Sequence, residues 1–240
     1  MRIGPAARIG PAATSDLRLL AGRAAFVRSS RTLLVADVHL GKAATFRRAG
    51  IPVPEGSAGR DLERLVGLAQ EHAARRVVVL GDLLHAKGGC TDAVLDEFRA
   101  ARARIAAGFV LVLGNHDRGL AGNPAALAER LGIDACVPAL DEPPFLFVHE
   151  PASPFTGEHA DRTVVAGHLH PTCALSAPGG DRIVDRCFVA EPGAVVLPAF
   201  GSFTGGHRVE AAPERRLWIA RDDGVVDVTR LAALAARRRR

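Results

Sequence analysis

Thr32-Leu33-Leu34-Val35-Ala36-Asp37-Val38-His39-Leu40-Gly41-Lys42 is the stretch on which the reading of the fold turns. It opens as a short apolar run with a β-branched residue, the pattern of a strand buried on both faces. It then sets a carboxylate and an imidazole two residues apart. On extended backbone, residues i and i+2 point to one side, so Asp37 and His39 can reach one metal ion together.

The same arrangement recurs downstream. Arg76-Val77-Val78-Val79-Leu80 runs into Gly81-Asp82, and Phe109-Val110-Leu111-Val112-Leu113 runs into Gly114-Asn115-His116-Asp117. Thr163-Val164-Val165-Ala166 runs into Gly167-His168-Leu169-His170, and Phe145-Leu146-Phe147-Val148 ends on His149. Glycine after a strand lets the chain turn and lets other groups approach the backbone. Sites in open α/β sheets form beyond the carboxyl ends of the strands. These tips are therefore expected to converge on one metal-rich crevice.

Outward from the tips, the first half reads β-α-β-α-β-α. Strands are expected near 24–28 and 32–37, and residues 41–55 as a loop carrying Lys42, Arg47, Arg48, Pro52 and Pro54. Ser57 can cap a helix to about Ala74, with Leu62, Leu65, Val66 and Ala69 as its apolar stripe. Thr91 can cap a second helix, with Leu95, Phe98 and Ile105 inward. Asn123-Pro124 can start a third that Gly132 stops. That half predicts a mostly parallel sheet with helices on it. From Asp134 onward short strands dominate, near 134–140, 145–149, 163–166, 182–189, 194–198, 217–220 and 225–228. Two sheets packed face to face, each covered by helices, accommodate both halves.

Length and composition bound the alternatives. The chain has 240 residues, 48% of them hydrophobic, enough for a large core. No apolar run approaches the roughly 18 residues that span a bilayer, and no apolar segment marks a secretory leader, so the cytoplasm is the expected compartment. Cys90, Cys136, Cys173 and Cys187 lack C-x-x-C spacing, which excludes a zinc ribbon and suits reduced thiols. Four of the five net positive charges are Arg237, Arg238, Arg239 and Arg240, so the body is near neutral. The hexamer Arg2-Ile3-Gly4-Pro5-Ala6-Ala7 repeats once, as residues 8–13. The expected organisation is a flexible extension over 1–15, one domain over 16–230 and a basic tail over 231–240.

Asp37, His39, Asp82, Asn115, His149, His168 and His170 make a set for two ions. Asp82, alone at its tip, is the expected bridge. One ion takes Asp37, His39, Asp82 and His170; the other takes Asp82, Asn115, His149 and His168. Imidazole, carboxamide and carboxylate together suit Mn, Fe, Zn or Co better than Mg. Two divalent ions, two aspartates and a bridging hydroxide leave about +1, enough to attract a phosphate and to hydrolyse it by in-line attack. His116, beside Asn115, is expected to protonate the leaving oxygen, and Asp117 to orient that imidazole. His85 is a candidate for substrate contact. Lys42, Arg47 and Arg48 are placed to grip flanking phosphates. His72, His159 and His207 are expected to be incidental.

The order Asp-x-His, Gly-Asp, Gly-Asn-His-Asp, His, Gly-His-x-His, spanning residues 37–170, resembles the calcineurin-like metallophosphoesterase superfamily. The resemblance implies a four-layer α/β/β/α sandwich with two mixed sheets, a di-metal centre, and hydrolysis of phosphate mono- or diesters. A narrower likeness is carried by Ala36-Asp37-Val38-His39-Leu40-Gly41-Lys42-Ala43-Ala44-Thr45-Phe46-Arg47, by Gly50-Ile51-Pro52-Val53-Pro54, and by Leu197-Pro198-Ala199-Phe200-Gly201-Ser202-Phe203-Thr204-Gly205-Gly206. These segments are similar to the bacterial ligase-associated DNA damage response endonucleases. That likeness implies a manganese-dependent DNA phosphodiesterase working with an ATP-dependent DNA ligase, a helicase and an exonuclease.

Two other classes compete. A small-molecule enzyme of this fold, acting on a nucleotide, a cyclic nucleotide or a phosphomonoester, would carry the same metal set. A non-catalytic module would be expected to have lost ligands, and here all seven stand together with His116.

Overall fold

The computed structural model describes residues 6–8, 15–53, 56–86, 89–121, 123–151, 161–176, 182–221 and 224–237. A first sheet takes β1 (Ala6–Arg8), β2 (Leu17–Leu20), β3 (Ala24–Val27), β4 (Thr32–Val35), β5 (Arg76–Leu80), β6 (Gly108–Val112) and β7 (Ala135–Val137) side by side in chain order. Strands β1 to β4 are antiparallel neighbours and β4 to β7 are parallel. The parallel part is joined through α1 (Lys42–Arg48), α2 (Ser57–Glu71), α3 (Asp92–Ala103), α4 (Asn115–Ala121) and α5 (Pro124–Leu131).

The second sheet contains β8 (Leu140–Glu142), β9 (Phe145–Phe147), β10 (Thr163–Ala166), β11 (Pro171–Ser176), β12 (Arg182–Glu191), β13 (Ala194–Val196), β14 (His207–Arg208), β15 (Arg216–Arg221) and β16 (Gly224–Asp227). Its order is β14-β11-β12-β13-β10-β9-β8, with β15 on β12 and β16 on β15. Both β9 and β13 lie parallel to β10, while the other pairs are antiparallel except β11 with β14.

The continuous apolar runs explain the layering. In β5, Val77 and Val79 pack under the helices with Leu62, Leu65, Val66 and Phe98. Val78 and Leu80 point the other way, against Phe145, Phe147, Phe188 and Trp218 of the second sheet. A strand buried on both faces needs no polar alternation. The far face of the second sheet buries Cys173, Cys187, Leu217 and Ile219 with Val228 and Ala232, the latter from α6 (Thr229–Arg237). The result is the expected α/β/β/α sandwich with two mixed sheets. The four cysteines are unpaired. Among the described residues no helix is long and apolar enough to cross a membrane.

Local chemistry sets several boundaries. Thr91 Oγ1 accepts from the Val94 amide at 3.4 Å, and Asn123 Oδ1 from the Ala125 amide at 2.9 Å, each capping its helix. Gly132 takes φ 67° and ends α5.

Other expectations need correction. Residues 42–48 are helical, because Gly41 turns the chain at φ 80° and Ala43, Ala44 and Arg47 favour helix; Pro52 lies beyond the end, and Pro54 outside the described residues. Gly56, not Ser57, caps α2. The expected strand at 134–140 splits, β7 joining the first sheet and β8 the second. Part of the expected N-terminal extension pairs as β1, though most of the repeated hexamer lies outside the described residues. The tail expected from 231 is helical to Arg237; Arg238, Arg239, Arg240 and His159 lie outside the described residues.

Candidate metal centre

The loops beyond β4 and β5 run side by side. The Asp37 amide donates to the Gly81 carbonyl at 3.1 Å, and the His39 amide to the Asp82 carbonyl at 2.8 Å. This pairing carries Asp37, His39 and Asp82 to one place. The tips of β9 and β10 arrive from the second sheet with His149, His168 and His170, and the first residue of α4 is Asn115.

Two donor groups meet at Asp82. In the first, His170 Nε2 stands 3.3 Å from Asp37 Oδ1 and 3.2 Å from His39 Nε2, which is 3.7 Å from Asp82 Oδ2. In the second, His149 Nε2 stands 3.5 Å from Asp82 Oδ1, 3.0 Å from Asn115 Oδ1 and 3.1 Å from His168 Nδ1. The seven expected residues are thus brought together around Asp82, with His149 Nδ1 also 3.8 Å from Asp37 Oδ1 across the two groups. Glu150 was not expected; it brings a carboxylate within 4.8 Å of the His149 and His168 donors, and pairs with Arg118.

The donor chemistry fits cations. Asp37 is fully buried and its Oδ1 has no hydrogen-bond partner, although Oδ2 accepts from the His168 amide at 2.9 Å. A buried carboxylate oxygen without a donor is costly unless a cation faces it. Burial, with His170 and Lys42 nearby, pushes His39 down to about 2, so the ring is neutral and one of its nitrogens keeps a free lone pair. Burial also pushes Asp82 up, against the opposing pull of His149 and His116. His149 Nδ1 donates to the Leu80 carbonyl at 3.0 Å, which leaves the Nε2 lone pair free for a cation.

The backbone is bent to aim these groups. Asp37, His39, Asp82, His168 and His170 all sit at positive φ, from 44° to 68°. Such torsions are uncommon outside glycine and gather at functional sites. Two glycines make the room. A Cβ on Gly81 would fall 2.1 Å from His149 Nδ1, and one on Gly114 would fall 2.1 Å from Asp82 Oδ1.

His116 presents Nε2 at 3.8 Å from Asp82 Oδ2, while its Nδ1 donates to the His85 carbonyl. The His85 ring stacks on it at 5.0 Å and sets Nδ1 3.3 Å from His39 Nδ1. Burial, with Lys42 and His116 close by, lowers His85 to about 4. Asp117 does not orient the His116 ring. It is fully buried, and its oxygens accept from the amides of Leu84 at 3.0 Å, Gly114 at 3.1 Å and Leu83 at 3.3 Å. The sequence neighbour of His116 turns away because α4 starts there and spreads successive side chains around its axis.

Beside His39 lies a cavity of about 120 Å³, whose lining includes Val38, Lys42, Arg47 and Phe203. Arg48, on the same helix, is exposed and does not line it. Phe203 packs edge-on against Phe46 at 5.4 Å and brings the loop at 200–206 to the edge of that cavity. Asp61, Arg64 and Arg186, which hold that loop, were missed in the sequence. The available signal was Asp61 itself, a carboxylate adjoining the apolar stripe of α2. His72 lies against Phe26, away from the donor groups, and His207 opens β14, beside the strand that follows His170.

A family model described as calcineurin-like phosphoesterase matches residues 30–197. The solved structure of the Pseudomonas putida nuclease MPE is 34% identical, covers 92% of this chain and 99% of its own, and superposes with a TM-score of 0.69. Yfce, a phosphoesterase from E. coli, is 15% identical over 78% of this chain and 86% of its own, with a TM-score of 0.41. Comparison with the curated proteins finds none that matches. With its donor groups at the tips of two facing sheets and a family match over most of its length, the chain belongs to the calcineurin-like phosphoesterases and is a metal-dependent phosphoester hydrolase.

Proposed function

We propose that the chain is a manganese-dependent DNA endonuclease of DNA repair. One observation carries the reading: it is 34% identical over nearly its whole length to a nuclease. Lys42 and Arg47 in the lining of the cavity beside His39 support it, since a polyanion needs cations next to the reacting phosphate, although Asp61 and Glu97 line the same cavity. Asp37, His39, Asp82 and His170 hold one ion; Asp82, Asn115, His149 and His168 hold the other. Bound there, two divalent ions supply Lewis-acid activation of water and neutralise charge on the phosphate. The mixed nitrogen and oxygen donors favour manganese over magnesium.

His116 holds the proton for the leaving oxygen on Nε2, with Nδ1 kept protonated by the His85 carbonyl. Lys42 and Arg47 hold the flanking phosphate, and Arg48 makes the outermost contact. The protein works in the cytoplasm beside an ATP-dependent DNA ligase, a helicase and an exonuclease, as its family likeness implies.

The test is purified protein on supercoiled plasmid, bis-p-nitrophenyl phosphate and p-nitrophenyl phosphate, across Mn²⁺, Mg²⁺, Zn²⁺ and Co²⁺. Nicking with Mn²⁺ ahead of the other ions is expected. Cleavage of the aryl esters with an intact plasmid would move the assignment to a small-molecule phosphoesterase.

A further inference from the structure

We propose that Asp61 is a positioning residue for the first donor group, acting through the loop at 200–207; this rests on the two-ion reading above. Asp61 lies on α2, outside both donor groups, yet it is buried. Its Oδ2 accepts from the Ser202 amide at 2.7 Å and its Oδ1 from the Ser202 hydroxyl at 2.5 Å. Arg64 pairs with the same carboxylate at 2.9 Å and lays its guanidinium over the Phe200 ring at 4.1 Å. Arg186 adds bonds to the carbonyls of Ser202 at 2.8 Å and Thr204 at 3.0 Å. A loop with glycines at 201, 205 and 206 has little rigidity of its own, so these bonds set its place.

The loop then reaches both turns of the first donor group. The amides of Phe200 and Gly201 donate to the carbonyls of Ala36 at 2.7 Å and Asp37 at 3.1 Å. The His207 amide donates to the His170 carbonyl at 2.9 Å. Asp37 and His170 are thus held by one segment, at φ of 54° and 44°. No bond of the loop reaches the backbone of Asn115, His149 or His168 among the described residues. The clamp therefore bonds directly to one ion's ligands and meets the other's only at second hand, through the Asp37 carboxylate that accepts from the His168 amide. A carboxamide at 61 would set an N–H against a Ser202 donor and break the double acceptance.

Two measurements test this with Asp61→Asn, and with Ser202→Ala in case the first variant folds poorly. In metal-free protein, amide exchange at Phe200, Gly201 and His207 is expected to quicken about tenfold or more. In a calorimetric Mn²⁺ titration, one site is expected to weaken about tenfold and the other by less than twofold. Ser202→Thr, which keeps both donors, should restore both readouts. Unchanged exchange at Gly201 and His207 would overturn the clamp, as would equal weakening of both sites. If the wild type takes up fewer than two ions, the two-ion reading fails, and the exchange experiment still decides whether Asp61 holds the loop.

Discussion

Asp37, His39 and His170, on one side of Asp82, owe their direction to left-handed backbone at φ of 54°, 52° and 44°. Asn115 and His149, on the other side, stand outside that region; Asn115 is aimed by the first turn of α4 and His149 by its bond to Leu80 in the sheet. His168 combines both devices, with φ 68° and an amide bonded to Asp37. The first group is shaped by torsion and needs an outside brace. The second mixes devices: the first turn of α4 at Asn115, the Leu80 carbonyl at His149, and torsion with the Asp37 carboxylate at His168.

The contrast can be broken at its shared member. Asp82→Ala should lower phosphodiester hydrolysis by on the order of 10³-fold and remove both ions, because one carboxylate serves both groups. A variant that kept one tight Mn²⁺ site and a tenth of the rate would make the groups independent. Gly81→Ala sharpens the contrast from the second side: its Cβ would displace His149, and the backbone there is at φ 76°. Loss of about 10²-fold in rate is expected, with the Mn²⁺ titration losing the second site first.

His116→Ala should cost about 10²-fold on plasmid, whose alkoxide leaving group needs a proton. On bis-p-nitrophenyl phosphate the loss should be far smaller, and equal losses would remove the general-acid role. Asp117→Asn should leave the chemistry nearer intact and lower stability by about 1–3 kcal/mol, since a carboxamide cannot accept from three amides as a carboxylate does. Thermal unfolding reads that as a fall of several degrees; an unchanged midpoint would deny the carboxylate its structural role. Arg47→Ala should raise the plasmid KM more than Arg48→Ala, because only Arg47 lines the cavity.

The donor groups were legible because each ligand follows an apolar strand within a few residues, and strand order brings such tips together. Asp82 stands out by its solitary place after β5, and the structure sets its two oxygens toward His39 and His149. The helix at 42–48 was not legible, since its basic residues and the downstream prolines read as a loop. Asp117 misled for a related reason: adjacency to His116 in sequence says nothing about direction once a helix starts. Asp61 and Ser202 are 141 positions apart, and no local pattern announces such a pair. The strands β1, β2 and β11 and the helix α6 went unread because short elements at sheet margins draw their order from pairing and packing more than from periodicity.

The left-handed turns under the ligands also bear on how the folded chain survives without its ions. Each such residue costs about 1 kcal/mol or more in a chain whose net stability is small. Ions that draw Asp37, His39 and His170 inward would offset that cost, so the divalent ions should act as folding cofactors as well as catalytic ones. Chelator-treated protein should then melt earlier and regain its midpoint as the ion is returned.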